Sequence, residues 1–349
     1  MKIIRMIFLF AEQSREAKKE NPHIKYGQIL VKFGIALLSG GFVLIININI
    51  PQIQLSLNVD ARIALFIIII GAILILTGIV LIISGLSSVK NEWLIKRFYY
   101  LKGLENQTSD PPFDALPKMA FWYHKTPILL TIKNQKLDII FEDLLHAKRN
   151  IEEKVEQYHS KEIFFAGLAR VPCLFFIGHS FRNAHSRITL IDHNHQTDKW
   201  FKLSQIDDPS LNISVDYSTS IGVTPLSDIA VTIEFTSEIM RMELPELLQN
   251  NIVRIKPSVK HSHNLIESDT ALQRIVEDII NEIIKLNKIC NRVHLFIAAQ
   301  STVVFSLGRR YLDGQIGNIT IYNYDPIIKS YNWAISLTNN ILGMEKIEL

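Results

Sequence analysis

The chain has 349 residues, of which 48% are apolar and 20% charged, and a formal net charge of +3. That charge is too small for bulk electrostatic capture of DNA or RNA. Its two cysteines, Cys173 and Cys290, make neither a disulfide framework nor a metal motif.

The first 28 residues are basic and end in no small-x-small cleavage site. The apolar run Met6 to Phe10 is too short for a signal peptide, so residues 1–28 read as an interfacial, cytoplasmic helix. Residues 29–90 read as a transmembrane hairpin. Phe33 to Ile50 and Ile63 to Leu86 contain no charge, and crossing the hydrocarbon core takes about 20 residues. Lys2, Arg5, Arg15, Lys18, Lys19, Lys25 and Lys32 precede the first span, and Lys90, Lys96, Arg97 and Lys102 follow the second. The joining loop holds only Arg62, at its edge. Both ends are therefore expected in the cytoplasm.

Gly27, Gly34 and Gly41 recur every seven residues, as do Gly71, Gly78 and Gly85. Such stripes let helices approach closely in lipid, and the expectation is that several hairpins assemble side by side. Few polar groups lie in the spans. A pore wall built from them is apolar, with amides and hydroxyls such as Asn47 and Thr77. The packing and pore candidates are Gly34, Gly41, Asn47, Gly71, Thr77, Gly78 and Gly85.

Residues 91–117, with Asp110-Pro111-Pro112, read as a linker, and 118–349 as a cytoplasmic domain. Ile128 to Ile132 and Leu137 to Ile140 read as a strand pair, Phe141 to His159 as a helix, and Leu211 to Tyr217 and Ile229 to Phe235 as strands. Asp269 to Leu286 carries apolar residues at helical spacing.

The soluble part repeats itself. Ile163 to Asn183 overlays Val293 to Asp313 at a shift of 130 positions: Phe165 falls on Leu295, Phe175 on Phe305, Gly178 on Gly308 and Phe181 on Tyr311. Arg187 to Ile191 then falls on Asn318 to Tyr322, one residue out of step. Each copy reads as strand, turn, helix, strand. That is the opening of an α/β unit, whose turn is where such folds hold phosphates.

The copies, FFAGLARVPCLFFIGHSF and HLFIAAQSTVVFSLGRR with ITIYNYD after it, resemble the SAVED domain over roughly Phe113 to Leu349. The resemblance implies an α/β domain of two fused Rossmann-like, CARF-like halves behind an α-helical two-span transmembrane hairpin. A membrane hairpin ahead of such a domain is similar to the membrane effectors of bacterial cyclic-oligonucleotide (CBASS) anti-phage signalling. That family implies a cyclic di- or trinucleotide made by a cognate cGAS-like nucleotidyltransferase. It also implies homo-oligomeric assembly in a lipid bilayer, the bacterial inner membrane. The output would be an ion channel or membrane rupture that aborts phage infection.

Ligands of Rossmann-like units bind outside the carboxyl ends of the strands. This places Gln300, Ser301 and Thr302 at the turn of the second copy, where free N–H groups and hydroxyls suit a phosphodiester. Helix capping explains the same hydroxyls. Arg170 stands at the matching turn of the first copy and suits phosphate pairing or base stacking. Tyr217, Ser218 and Thr219 end a strand with an aromatic ring and hydroxyls. Trp200 and Tyr324 are further stacking candidates.

No Walker loop, paired-carboxylate site or CxxC is present. Gly178 to Arg182 begins like a nucleophile elbow and lacks the second glycine. His193/His195 and His261/His263 read as loop histidines rather than metal ligands. A non-enzymatic sensor without metal or resident cofactor is therefore expected. The alternative is a membrane-anchored nucleotide-processing enzyme.

Overall fold

Glycine decides how the two apolar helices meet. The computed structural model describes residues 21–49, 61–94, 96–103, 112–116, 128–132, 136–158, 162–217, 228–311, 316–338 and 341–346. Helix α1 (Pro22–Asn49) and helix α2 (Ala61–Leu94) lie in a unit of their own. A Cβ placed on Gly34 would stand 2.6 Å from the Gly71 carbonyl oxygen, and one on Gly27 2.7 Å from that of Gly78. One on Gly85 would stand 2.5 Å from Ile24. The pairs run in opposite directions, so the helices are antiparallel and their backbones touch.

The stripe of Gly27 and Gly34 is thus used against Gly71 and Gly78 of the same chain. Within one chain, then, these glycines bring the two helices together. Phe33, Phe66, Leu76, Thr77 and Val80 lie off this seam and are exposed. Among the described residues one helix is long and apolar enough to cross a membrane, Arg62–Glu92, with mean hydropathy 3.3. The first expected span falls in α1, and the side chains of Gly41 and Asn47 lie outside the described residues.

The second unit is α/β. Strand β1 (Arg97–Lys102) carries the run Phe98, Tyr99, Tyr100 and Leu101, all buried. Such runs form strands covered on both faces. With β2 (Ile128–Thr131), β3 (Glu162–Leu168), β4 (Arg187–Asn194) and β5 (Lys199–Lys202) it makes a sheet of order β2-β1-β3-β4-β5. Only β5 runs antiparallel to its neighbour. Two boundaries are thereby corrected. The stretch expected as linker contains a central strand, and the α/β unit begins at Lys96. Leu137 to Ile140 is the first turn of helix α3 (Leu137–Tyr158), not a strand. Its buried stripe Ile140, Leu144, Ala147 and Ile151 starts there.

The larger sheet contains β6 (Ile213–Tyr217), β7 (Ile229–Glu234), β8 (Ile252–Pro257), β9 (Val293–Ala298), β10 (Ile319–Asp325), β11 (Ser330–Thr338) and β12 (Ile341–Lys346). Its order is β12-β11-β10-β9-β7-β8-β6. The four central strands are parallel, and β6 and β11 are antiparallel to their neighbours. Helix α4 (Val171–Ser180) follows β3, and helix α6 (Ser301–Arg310) follows β9. Helix α5 (Asp269–Asn287) precedes β9, capped by Ser268 Oγ, which accepts from the Ala271 N–H.

The repeat is real in three dimensions. Ile163 of β3 pairs with Ile188 of β4, and Val293 of β9 pairs with Ile319 of β10, the same register in each copy. The hairpins β4–β5 and β10–β11 turn at Asp198 (φ 53°) and Lys329 (φ 52°), 131 positions apart. Helices α4 and α6 exchange one contact reciprocally. A Cβ on Gly178 would lie 2.0 Å from the Phe305 carbonyl oxygen, and one on Gly308 1.9 Å from that of Phe175. This is the self-complementary contact of a two-fold axis, closed within one chain. Phe165 of the first copy stacks on Phe305 of the second at 4.0 Å, and one apolar core runs through both copies.

Candidate functional site

Parallel α/β sheets place their ligands at the carboxyl ends of the strands. At that edge the two copies are tied together by one carboxylate. Asp192, near the end of β4, is 2% exposed. Its oxygens accept from Ser301 Oγ (3.0 Å), Thr302 Oγ1 (2.8 Å), Gln300 Nε2 (2.8 Å) and the His193 N–H (2.8 Å). Gln300 also accepts from the Ile266 N–H (2.7 Å) and donates to the Ile266 carbonyl (3.1 Å). Strand end β4, the loop before α5 and the first turn of α6 are therefore one hydrogen-bonded assembly.

The anion that the amino end of α6 attracts is thus supplied by the protein itself. Gln300, Ser301 and Thr302 sit where expected, and their side chains are engaged with Asp192. The matching position of the first copy differs. Arg170 is the N-cap of α4, its side chain makes no capping hydrogen bond, and it is half-buried. Asn323, the counterpart of Asp192, bonds instead to Asn332 Oδ1 at 2.9 Å.

The aromatic candidates fall into matched positions. Trp200 lies across from His193 in the β4–β5 ladder, ring centroids 5.0 Å apart. Tyr324 lies across from Tyr331 in the β10–β11 ladder, 5.3 Å apart. Side chains alternate along a strand. His193 therefore points to the face of its sheet opposite Asp192, and Tyr324 shares the face of Phe296 and Tyr322 rather than the face of α6. Tyr324 donates to Glu243 Oε1 at 3.1 Å. Burial, then Glu243, raises its pKa.

Tyr217 does not join the group. It ends β6, which runs antiparallel to β8, so it lies toward the amino ends of β7 and β9. Its hydroxyl donates to Glu282 of α5, which pushes its pKa up to about 12. Ser218 and Thr219 lie outside the described residues.

Other reactive groups are quiet. Burial pushes the thiol of Cys173 up to about 12 and that of Cys290 to about 11, so neither is a thiolate near neutrality. Burial, then the Arg182 charge, pushes His179 down to about 3 and keeps it neutral. Ser180 Oγ donates to the Phe176 carbonyl at 2.9 Å. Among the described residues no group of three metal-ligating side chains is placed to hold an ion.

Sequence reasoning passed over Asp192, because its partners lie more than 100 positions away. It also read the histidine pairs as separate loops, whereas His195 and His263 approach to 6.0 Å between ring centroids. The local signal for Asp192 was a lone acid inside the apolar run of β4.

A family model described as "SMODS-associated and fused to various effectors sensor domain", SAVED, matches residues 146–337, a span that holds both copies. No match was found among curated proteins. Among solved structures, the chain is similar to the Acinetobacter baumannii Cap4 SAVED/CARF-domain containing receptor with the cyclic trinucleotide 2'3'3'-cAAA. The identity is 14%, covering 80% of this chain and 61% of that one, with a TM-score of 0.48. For the same receptor with 3'3'3'-cAAA the values are 15%, 82%, 64% and 0.48. For the Moraxella osloensis Cap4 SAVED/CARF-domain containing receptor they are 15%, 82%, 59% and 0.44. The chain spans about three fifths of the length of these receptors.

Proposed function

The chain belongs to the SAVED family of sensor domains, and on that premise we propose that it is a membrane-embedded effector switched by a cyclic di- or trinucleotide. The α/β unit binds the messenger in the cytoplasm. The α1–α2 hairpin is the output: it crosses the inner membrane twice, assembles with other copies, and opens a pore or disrupts the bilayer to abort phage infection. The messenger comes from a cognate cGAS-like nucleotidyltransferase.

The observation that carries this reading is the Asp192 assembly. It brings the carboxyl edges of both copies into contact through side chains. A ligand bound there touches both copies at once. It shifts their relative arrangement by as much as it prefers one arrangement over another. Arg170 is the proposed phosphate partner, because the amino end of α6 already holds a carboxylate. Ser301, half-buried at the first turn of α6, is the residue of the second copy proposed to face the ligand, with Gln300 and Thr302 buried behind it. Trp200 and Tyr324 flank it from outer sheet faces.

Arg170→Ala is expected to weaken messenger binding about tenfold or more, as loss of a charge-assisted contact does. Hairpin insertion into membranes should be unchanged. Titration of the full chain in lipid nanodiscs measures the first, and carbonate extraction of membranes the second. Unchanged affinity would move the phosphate site away from α4. Dye release from liposomes carrying the chain reports the output. Binding without release would leave the hairpin as an anchor. Nucleotide turnover in the same samples would favour a membrane-anchored enzyme.

A further inference from the structure

The two matched aromatic pairs are not chemically alike. In the second copy, Tyr324 and Tyr331 are closed in by protein: Tyr324 bonds Glu243, and Tyr331 meets Phe296 edge-on at 4.7 Å. In the first copy, the matching pair is His193 and Trp200, and Asn264 lies beside it. His193 Nδ1 and Asn264 Oδ1 are both buried without a hydrogen-bond partner among the described residues. His193 Nε2 contacts Asp198 Oδ1 at 3.0 Å. That carboxylate accepts, so Nε2 carries a proton, and in the neutral ring Nδ1 presents a lone pair. Asn264 donates through Nδ2 to the His193 carbonyl at 3.2 Å, leaving its oxygen open. Buried polar atoms are normally paired. Two such acceptors in one cluster suit a donor that the described residues do not supply.

His195 and His263 are exposed, and His195 lies 5.1 Å from His193 and 6.0 Å from His263 between centroids. The cluster lies at the same strand end as the Asp192 assembly but on the opposite face of the sheet, since His193 follows Asp192 in β4.

We infer that His193, Asn264 and Trp200 form a base-reading subsite that selects a nucleobase bearing an exocyclic amine. This rests on the proposal that the ligand is a cyclic oligonucleotide. An exocyclic amine carries two N–H donors, one for each orphan acceptor. The imidazoles of His195 and His263 and the Trp200 indole offer surfaces on which a base stacks. A carbonyl in the same place sets acceptor against acceptor, and a site built to pair a polar group rejects the analogue lacking it. Uracil and hypoxanthine are thereby disfavoured.

The test uses the full chain in nanodiscs and cyclic di- and trinucleotides of adenine, guanine, cytosine and uracil. The tightest binder is then compared with an analogue in which one amine is replaced by a carbonyl, such as hypoxanthine for adenine. The wild-type chain is expected to bind that analogue at least about tenfold more weakly. Asn264→Leu should weaken the discrimination several-fold, His193 Nδ1 remaining as the second acceptor. Asn264→Gln, which keeps both an acceptor oxygen and an N–H donor for the His193 carbonyl, should retain it. If Asn264→Leu binds neither ligand, Asn264→Gln decides: retained discrimination supports the subsite and lost discrimination overturns it. Full discrimination in Asn264→Leu, or an all-uracil ring as tightest binder, would overturn the subsite and leave the sensor intact. No binding of any ring to the wild type would overturn both.

Discussion

Alanine at Gly178 or at Gly308 is expected to destabilise the α/β unit severely, and by similar amounts. Each new methyl would enter within about 2 Å of a backbone oxygen, on Phe305 in one case and on Phe175 in the other. Backbone cannot step aside as a side-chain tip does, so α4 and α6 must separate. Overpacking of a filled core costs about 1–3 kcal/mol, occasionally more, and these two sites stand at the upper end. The variants share one interface, so their effects should not add: once the helices are apart, the second methyl costs little. Urea unfolding of both single variants and the double variant measures this. A neutral Gly178→Ala would mean that the copies do not meet as described.

Asp192→Ala should be the second large effect. It removes four hydrogen bonds at once and leaves one N–H of the buried Gln300 Nε2, the buried Thr302 hydroxyl and the half-buried Ser301 hydroxyl without this acceptor, Gln300 keeping its bond to the Ile266 carbonyl. Each unsatisfied buried group costs about 1–3 kcal/mol, and the hydroxyls recover part of this by turning. A net loss of about 3 kcal/mol is expected. Thermal unfolding reads it as a fall of about 6–12 °C, at about 2–4 °C per kcal/mol for a unit of this size. Asp192→Asn keeps the shape and one acceptor oxygen and should fall between. An unchanged midpoint for Asp192→Ala would show that the carboxylate does not bind the copies together.

These two sites mark the boundary of what was legible in the sequence. Gly178 and Gly308 were visible as matching letters in a repeat, and the repeat carried the register, the helix positions and the two-fold relation. It extends further than the letters do. Asp198 and Lys329 share no chemistry, yet they turn equivalent hairpins with the same backbone conformation. Asp192 was not legible, because nothing near it in sequence reveals a partner on the other copy.

Strand β1 is a different kind of miss. Phe98 to Leu101 reads as a short buried strand on its own, but polar residues on both sides drew the whole stretch into a linker. The first turn of α3 was hidden in the same way, because Leu137 to Ile140 is apolar enough to pass for a strand until Leu144 and Ala147 extend its stripe. In the hairpin the glycine period points to a close helix contact, and the structure uses Gly27, Gly34, Gly71 and Gly78 in one within the chain. Its partner was not legible, since a seven-residue stripe looks the same whether it meets its own chain or another copy.

The candidate ligand residues separated along a similar line. Arg170, Gln300, Ser301 and Thr302 came from a rule about strand ends, and the structure places them at those ends. Tyr217 was chosen for ending a strand, but its strand runs the other way, and strand direction is set by pairing partners far off in sequence.

The most direct measurement is binding of cyclic di- and trinucleotides to the full chain in nanodiscs, with particle mass followed in the same samples. Saturable, tight binding of one ring, reduced by Arg170→Ala, is the result this account predicts. Absence of binding across the panel, by a chain that unfolds cooperatively, would contradict it.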